Sequence, residues 1–250
     1  MKTVAVIQAR LGSTRLPGKV MFPLDASPVL TKIINRLKSS TVIDEIVVGT
    51  TEQPQDDVVI RVAEGMDVAS HRGSESDVLG RLYEAAEIHN ADAVVRVCSD
   101  TPFVSHRIID VCIRRLIESN HDYVSTKLQR TFPVGYGAEA FTMESFRQVE
   151  AESGEPNERE HVTVRYREDG SKYHRMNISS DDFFAEEQYQ DRNEIRLTLD
   201  RPVDYQLIKN VYENIEVAEP SIENVIDYID ENRLAHLNNQ IEQKSMYTAE

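Results

Sequence analysis

Apolar and polar positions along this chain follow two different periods, and the first half switches regularly between them. Val4 to Ile7 is a short run rich in Val and Ile, the composition of a buried strand. Pro28 to Lys38 places Val29, Leu30, Ile33, Ile34 and Leu37 at the spacing of one helix face. Ile43 to Thr51 predicts a second strand, Pro54 to Glu64 a helix carrying Val58, Val59 and Val62, and Met66 to Ala69 a short strand. A polar loop at 71–77, a helix from Asp77 to His89, a strand from Ala93 to Cys98, a helix from Ser105 to Ser119 and a strand from Asp122 to Thr126 follow. Strand alternating with helix in this way predicts a layered α/β fold around a mostly parallel central sheet. Ligands of such sheets sit at the carboxyl ends of the strands. The loops at 9–19, 71–77 and 99–102 are therefore expected to converge.

From about Lys127 the regularity breaks. Thr131 to Gly137 is turn-rich, and Ala138 to Thr142 predicts a strand. Helices are expected at Met143 to Glu152 and Glu158 to Arg167, strands at Lys172 to Ile178 and Glu194 to Leu199, and helices at Pro202 to Asn214 and Ser221 to Asn232. This pattern implies a single domain over 1–237, with an irregular insertion around 127–140 and a polar tail at 238–250.

Composition narrows the classes of function. At 250 residues and 40% hydrophobic content the chain can bury a sizeable core. A net charge of −15 argues against nucleic acid as a partner, because non-specific binding needs a basic face. Yet residues 1–24 hold no Asp or Glu and carry Lys2, Arg10, Arg15 and Lys19. A cationic pocket on an anionic body suits a small phosphorylated ligand. No apolar run has membrane-spanning length, and the chain opens on a strand, so a cytoplasmic protein with no membrane partner is expected. Cys98 and Cys112 suggest packing rather than a disulfide framework, and the seven histidines show no zinc spacing.

The candidate chemistry begins where the first strand ends. Ala9-Arg10-Leu11-Gly12-Ser13-Thr14-Arg15-Leu16-Pro17-Gly18-Lys19 offers glycines, hydroxyls, backbone N–H groups and three cations to a polyanion. It is not a Walker loop, since five residues separate Gly12 from Gly18 and Val20 follows Lys19. Nor does it contain the Gly-x-Gly-x-x-Gly of dinucleotide sites. Two other strands end on acid, at Arg96-Val97-Cys98-Ser99-Asp100-Thr101-Pro102 and at Arg196-Leu197-Thr198-Leu199-Asp200-Arg201-Pro202-Val203-Asp204. Brought together beside a triphosphate, Asp100 and Asp200 would hold Mg²⁺, which uses one or two carboxylates plus phosphate oxygens. Asp204 reads as a helix cap. Arg96, on a buried strand, is either a ligand contact or half of an internal ion pair.

The run Ile7-Gln8-Ala9-Arg10-x-Gly12-Ser13-Thr14-Arg15-Leu16-Pro17-Gly18-Lys19 resembles the signature of the cytidylyltransferases that make CMP-sugars. These include the acylneuraminate and CMP-Kdo synthetases and the spore coat polysaccharide biosynthesis protein F branch. Weaker likeness continues through Gly73-Ser74-Glu75-Ser76-Asp77-Val78-Leu79, Gly135-Tyr136-Gly137-Ala138-Glu139, Arg159-Glu160-His161-Val162-Thr163 and the segment ending at Asp204. The resemblance implies a three-layer nucleotide-diphospho-sugar transferase fold and the reaction of CTP with a sugar to give CMP-sugar and pyrophosphate. It implies that Arg10, Ser13, Arg15 and Lys19 hold the triphosphate, with Ala9 and Gly12 also binding the nucleotide and Lys19, Arg15 and Asp100 catalytic. Gly73, Ser74 and Asp77 would lie along the nucleoside, and Glu139, Arg159, Glu160 and His161 would face the sugar, His161 as general base or as helix packing. Asp100 and Asp200 would carry Mg²⁺, and a homodimer would form through about 127–140. A glycosyltransferase of the same fold is one alternative, although no Asp-x-Asp occurs in the chain. A non-catalytic nucleotide-binding relative is the other.

Overall fold

In a computed structural model, which describes residues 1–241, β1 (Thr3–Gln8) runs through the middle of a seven-stranded sheet. A small hairpin follows, β2 (Pro23–Leu24) and β3 (Ser27–Pro28), then α1 (Val29–Lys38), β4 (Glu45–Thr51), α2 (Asp57–Gly65) and β5 (Ala69–Gly73). Next come α3 (Val78–Ile88), β6 (Ala93–Cys98), α4 (His106–Glu118), β7 (Tyr123–Ser125) and β8 (Glu139–Thr142). The chain continues with α5 (Met143–Glu152), α6 (Pro156–Glu160), α7 (Val164–Glu168), β9 (Arg175–Asn177), α8 (Pro202–Asn214) and α9 (Ile222–Glu231). The sheet order is β5-β4-β1-β6-β8-β7-β9, and β8 alone runs against its neighbours β6 and β7. This is the mostly parallel α/β fold that the alternation predicted. Insertion of β8 between β6 and β7 is not encoded in that alternation, because the chain returns to the sheet through the irregular stretch at 127–138.

Three layers follow from the side-chain alternation of a strand. Ala5 and Ile7 of β1 pack with α1, α2, α4, α8 and α9, whereas Val4 and Val6 pack on the opposite face with α3, α5 and α7. Each fully buried aliphatic side chain stabilises the fold by about 1.5–3 kcal/mol, which is why a sheet sealed on both faces reads as near-continuous Val and Ile. Cys112 belongs to this core, and burial pushes its thiol up to about 12. Register places Gln8 beside both Gly49 and Cys98, and Thr51 beside Gly73. The loops after β1, β4, β5 and β6 thus leave from one edge.

Four elements differ from expectation. The strand expected at Met66–Ala69 lies at Ala69–Gly73, because Met66 to Val68 close the end of α2 by donating to Val62, Ala63 and Glu64 carbonyls. At the sheet edge, β5 is half-buried and accommodates the polar His71 and Arg72, which had suggested a loop. The helix expected at Glu158–Arg167 is broken between α6 and α7, where Val162 adopts a left-handed φ of 29°. In the strand expected at Glu194–Leu199, Glu194 lies in a turn and, among the described residues, the one bridge is Arg196 to Val134, since Leu199 N donates to the Asp100 carbonyl instead. Finally, Asn238 is buried and donates to Arg196 O and Asp204, so the polar tail expected from 238 is packed at its first residue. Residues 242–250 of that tail lie outside the described residues. Among the described residues no helix is long and apolar enough to cross a membrane.

Gly135 fixes the bridge that carries the second acidic segment. Its φ is 115°, and a Cβ there would lie 2.7 Å from the Leu197 carbonyl oxygen. Gly135→Ala is expected to destabilise the protein by about 1–3 kcal/mol from backbone strain and the clash. Gly18→Ala, with φ 72° and no atom within 4 Å, should cost only about 1 kcal/mol. Urea denaturation of the two variants measures the difference.

Candidate active site

Three loops meet at the carboxyl edge of the sheet, and Lys19 is their common point. The first loop is pinned from below. Leu11 N donates to Asp56 Oδ1 at 2.8 Å, and Thr51 Oγ1 donates to the other oxygen of that buried carboxylate. Within the loop Ser13 N and Gly18 N both donate to the Leu11 carbonyl, at 2.8 and 2.9 Å. This folds 11–18 into a compact turn and aims Lys19 across the edge toward β6. Its ammonium donates to Asp100 Oδ2 at 3.0 Å, to Asp200 Oδ1 at 3.0 Å and to the Leu199 carbonyl at 2.8 Å. Arg15 reaches Asp200 Oδ1 at 2.8 Å, and Arg196 reaches its other oxygen at 3.0 Å.

Two further bonds keep the carboxylates side by side. Leu199 N donates to the Asp100 carbonyl at 2.7 Å, joining the two acidic segments along their backbones. Asp204, wholly buried, accepts from the N–H groups of Asp200 and Arg201 and from Arg196 Nε at 3.1 Å. It therefore caps α8, as expected, and also aims Arg196 at Asp200. Burial alone would push the Lys19 ammonium down, but the Asp100 and Asp200 carboxylates outweigh it and hold its pKa above the ordinary 10.5. Burial likewise raises Asp200, and Lys19 and Arg15 reverse the sign, leaving it below the ordinary 3.8.

The loop after β5 comes in from the other side. Arg10 donates to Glu75 Oε1 at 3.2 Å, and a Cβ on Gly12 would sit 3.0 Å from that oxygen. Asp77 caps α3 through Gly80 N at 2.8 Å and accepts from Nε and Nη2 of Arg159. Asp77 and Arg159, expected in different halves of the site, are partners. Gly73 packs directly on Arg81, whose burial and proximity to Arg10 lower its pKa to about 10. Ala9 is buried, with its N–H on the Gly49 carbonyl, and Ser74 accepts from Asp77 N at 3.2 Å. Glu160 is exposed and His161 half-buried, at the break between α6 and α7.

Glu139 lies beneath the surface, 0% exposed. Its carboxylate accepts from Arg96 at 2.9 Å, Lys127 at 2.8 Å, Tyr123 at 2.7 Å, Thr163 at 2.8 Å and from Arg167. Arg96 is thus half of an internal ion pair; its Nε also donates to Gln8, the last residue of β1, at 3.0 Å. Above this cluster opens a cavity of about 440 Å³ lined by Lys127, Leu128, Arg167, Glu168 and Arg175. Among the described residues no group of three or more His, Cys, Asp or Glu side chains is placed to hold a metal.

A family model described as Cytidylyltransferase matches residues 4–231. The chain belongs to the cytidylyltransferase family. It is 33% identical over 246 residues to an uncharacterized protein of Methanocaldococcus jannaschii, covering 98% of both chains. It is 30% identical over 213 residues to the spore coat polysaccharide biosynthesis protein SpsF of Bacillus subtilis, covering 83% of this chain and 85% of that one. A solved cytidylyltransferase from Leptospira borgpetersenii superposes with a TM-score of 0.88 at 31% identity, over 97% of this chain and 100% of the other.

Sequence reading missed four residues that shape this cytidylyltransferase's site. Asp56 fell unremarked inside the helix expected at Pro54 to Glu64, and Lys127 and Arg167 gave no signal because their shared partner Glu139 is distant from Arg167 in sequence. Arg196 was legible in principle. Ile195, Leu197 and Leu199 face the core, so Arg196 and Thr198 must face the opposite way.

Burial would raise Glu139, but Lys127, Arg167 and Arg96 hold its pKa well below the ordinary 4.5. A lowered carboxylate stabilises the fold fully above its unfolded pKa and loses that contribution as pH falls through the folded value. Stability should therefore decline as pH drops below about 4.5, with Asp200 adding in the same sense at lower pH. Glu139→Gln is expected to cost about 3–5 kcal/mol at neutral pH, since it strands buried cations, and to flatten the acid limb. Urea melts of both proteins across pH 3–7 check this.

Proposed function

We propose that this cytidylyltransferase transfers CMP from CTP to a sugar and releases pyrophosphate, the sugar being an acidic eight- or nine-carbon one or a related surface-polysaccharide precursor. The observation that carries this reading is the meeting of Lys19 and Arg15 with Asp100 and Asp200 at the carboxyl edge of the sheet. An oxygen of the sugar attacks the α-phosphorus, the bond from that phosphorus to the pyrophosphate oxygen breaks, and the hydroxyl proton passes to water. Catalysis of such a step rests on positioning and charge neutralisation, with no covalent nucleophile. Arg10 and Ser13 would hold the triphosphate, while Arg15 and Lys19 offset the charge that grows on the departing pyrophosphate.

Asp100 and Asp200 suit Mg²⁺. Their carboxylate oxygens already converge on one cationic nitrogen, each at 3.0 Å. Two carboxylates without a third protein ligand match an ion that completes its shell with phosphate oxygens and water. When bound, Mg²⁺ supplies charge neutralisation at those oxygens.

The acidic character of the sugar is supported by the cavity over Glu139, where Lys127, Arg167 and Arg175 form a cationic wall. A cationic wall favours an anionic group, and a carboxylate on the substrate would supply one. In this reading Glu139 acts from below by fixing Lys127 and Arg167, while Arg159 and Glu160 of α6 and His161 just after it border the sugar. A homodimer through 127–140 and a cytoplasmic location belong to the same reading.

Incubation with each nucleoside triphosphate, Mg²⁺ and a panel of acidic and neutral sugars should release pyrophosphate with CTP and an acidic sugar. No release with any acidic sugar would overturn the substrate. Asp100→Asn is expected to lower turnover at least ~100-fold with an unchanged thermal midpoint. Wild-type turnover in that variant would reject the role of Asp100.

A further inference from the structure

An ammonium has three hydrogens, and in Lys19 all three are used. They go to Asp100 Oδ2 at 3.0 Å, Asp200 Oδ1 at 3.0 Å and Leu199 O at 2.8 Å, with the side chain only 11% exposed. No donor is left for a phosphate oxygen. Asp200 is engaged further, since it also accepts from Arg15 and Arg196. Lys19 therefore occupies the ground between the two carboxylates that a divalent cation would take. One position cannot hold an ammonium and a metal ion at once, because their charges repel at contact distance.

We propose that Lys19 is an exchangeable counter-ion that couples nucleotide binding to divalent-cation binding. This rests on the reading that Asp100 and Asp200 hold the metal. In the free enzyme Lys19 neutralises the pair and blocks it. An arriving triphosphate offers Lys19 new oxygens, and the side chain leaves the carboxylates open to the cation. A cation arriving first must evict Lys19 with no phosphate to receive it, so it binds weakly. By linkage each ligand strengthens the other by the same factor. Arg15, more than half exposed on the same Asp200 oxygen, is placed to move with it. The loop cations and the acidic pair thus form one device whose two halves cannot be filled independently.

Mn²⁺ serves as the probe, with free Mn²⁺ read by electron paramagnetic resonance. The nucleotide is a CTP analogue carrying a methylene between the α- and β-phosphorus, and Mn²⁺ held by the analogue alone is subtracted. Wild-type enzyme should bind Mn²⁺ weakly alone and about ten-fold or more tightly with the analogue. Lys19→Met should bind Mn²⁺ about ten-fold more tightly than wild type without nucleotide and lose most of the coupling. Mn²⁺ should also raise its thermal midpoint, and adding Asp100→Asn should abolish the gain. Lys19→Gln repeats the test with a polar side chain should the first variant fold poorly. If the analogue promotes Mn²⁺ binding that Asp100→Asn removes, yet neither Lys19 variant gains affinity, the exchange is wrong and the metal site stands. If Asp100→Asn leaves Mn²⁺ binding intact in the presence of the analogue, the metal-site reading itself fails.

Discussion

One ammonium between two carboxylates ties together the loops at the carboxyl edge of the sheet. Lys19 lies 81 residues from Asp100 and 181 from Asp200, and it bonds to both. That contact needs β1 and β6 as parallel neighbours, so that the loops leaving them start at one edge. It needs the Asp56 carboxylate beneath the first loop to point Lys19 across the edge rather than into solvent. It also needs Asp204, which organises the start of α8 and holds Arg196 against Asp200. Each support is buried and hydrogen-bonded, as a polar group inside a protein must be if it is not to destabilise the fold.

The second charged centre follows the same physics to a different end. Around Glu139 three cations and two hydroxyls converge on one carboxylate that has no contact with solvent. It fastens β6, β7, the start of the irregular segment and α7 to one another. A sealed ion pair of this kind is poor evidence for stability gained but strong evidence for geometry fixed, because removing either partner strands a buried charge. The Lys19 centre opens to solvent on one side, through Arg15 and Asp100, where the Glu139 centre is closed. Openness suits groups that exchange partners during a reaction, and closure suits groups that hold a wall in place. Gln8 links the two, standing at the end of β1 just before the loop that carries Lys19 and accepting from Arg96.

Much of the fold was legible in the chain because its signals are local. The Val- and Ile-rich strands, the helix faces of α1, α3 and α4, and the caps at Asp77 and Ser105 are all fixed by residues within a few positions of one another. The β5 boundary was misplaced because an edge strand tolerates polar residues. The break between α6 and α7 was missed because apolar spacing carries on through it. Glu194 to Leu199 has strand alternation, yet its backbone partners are shared between Val134 and Asp100 rather than a ladder.

For the site, the chain by itself determined the ingredients: a phosphate-type loop free of acid, two strand ends carrying Asp100 and Asp200, and an acid-rich remainder. Only the tertiary structure decided who pairs with whom. It joined Asp77 to Arg159, closed Glu139 under Lys127 and Arg167, resolved Arg96 as an internal partner, and set Lys19 between the two aspartates. The reason is the range of the forces. Periodicity and capping act over a turn or two of backbone, whereas charge pairing is settled by whichever groups the sheet brings within about 3 Å, and sequence separation says nothing about that distance.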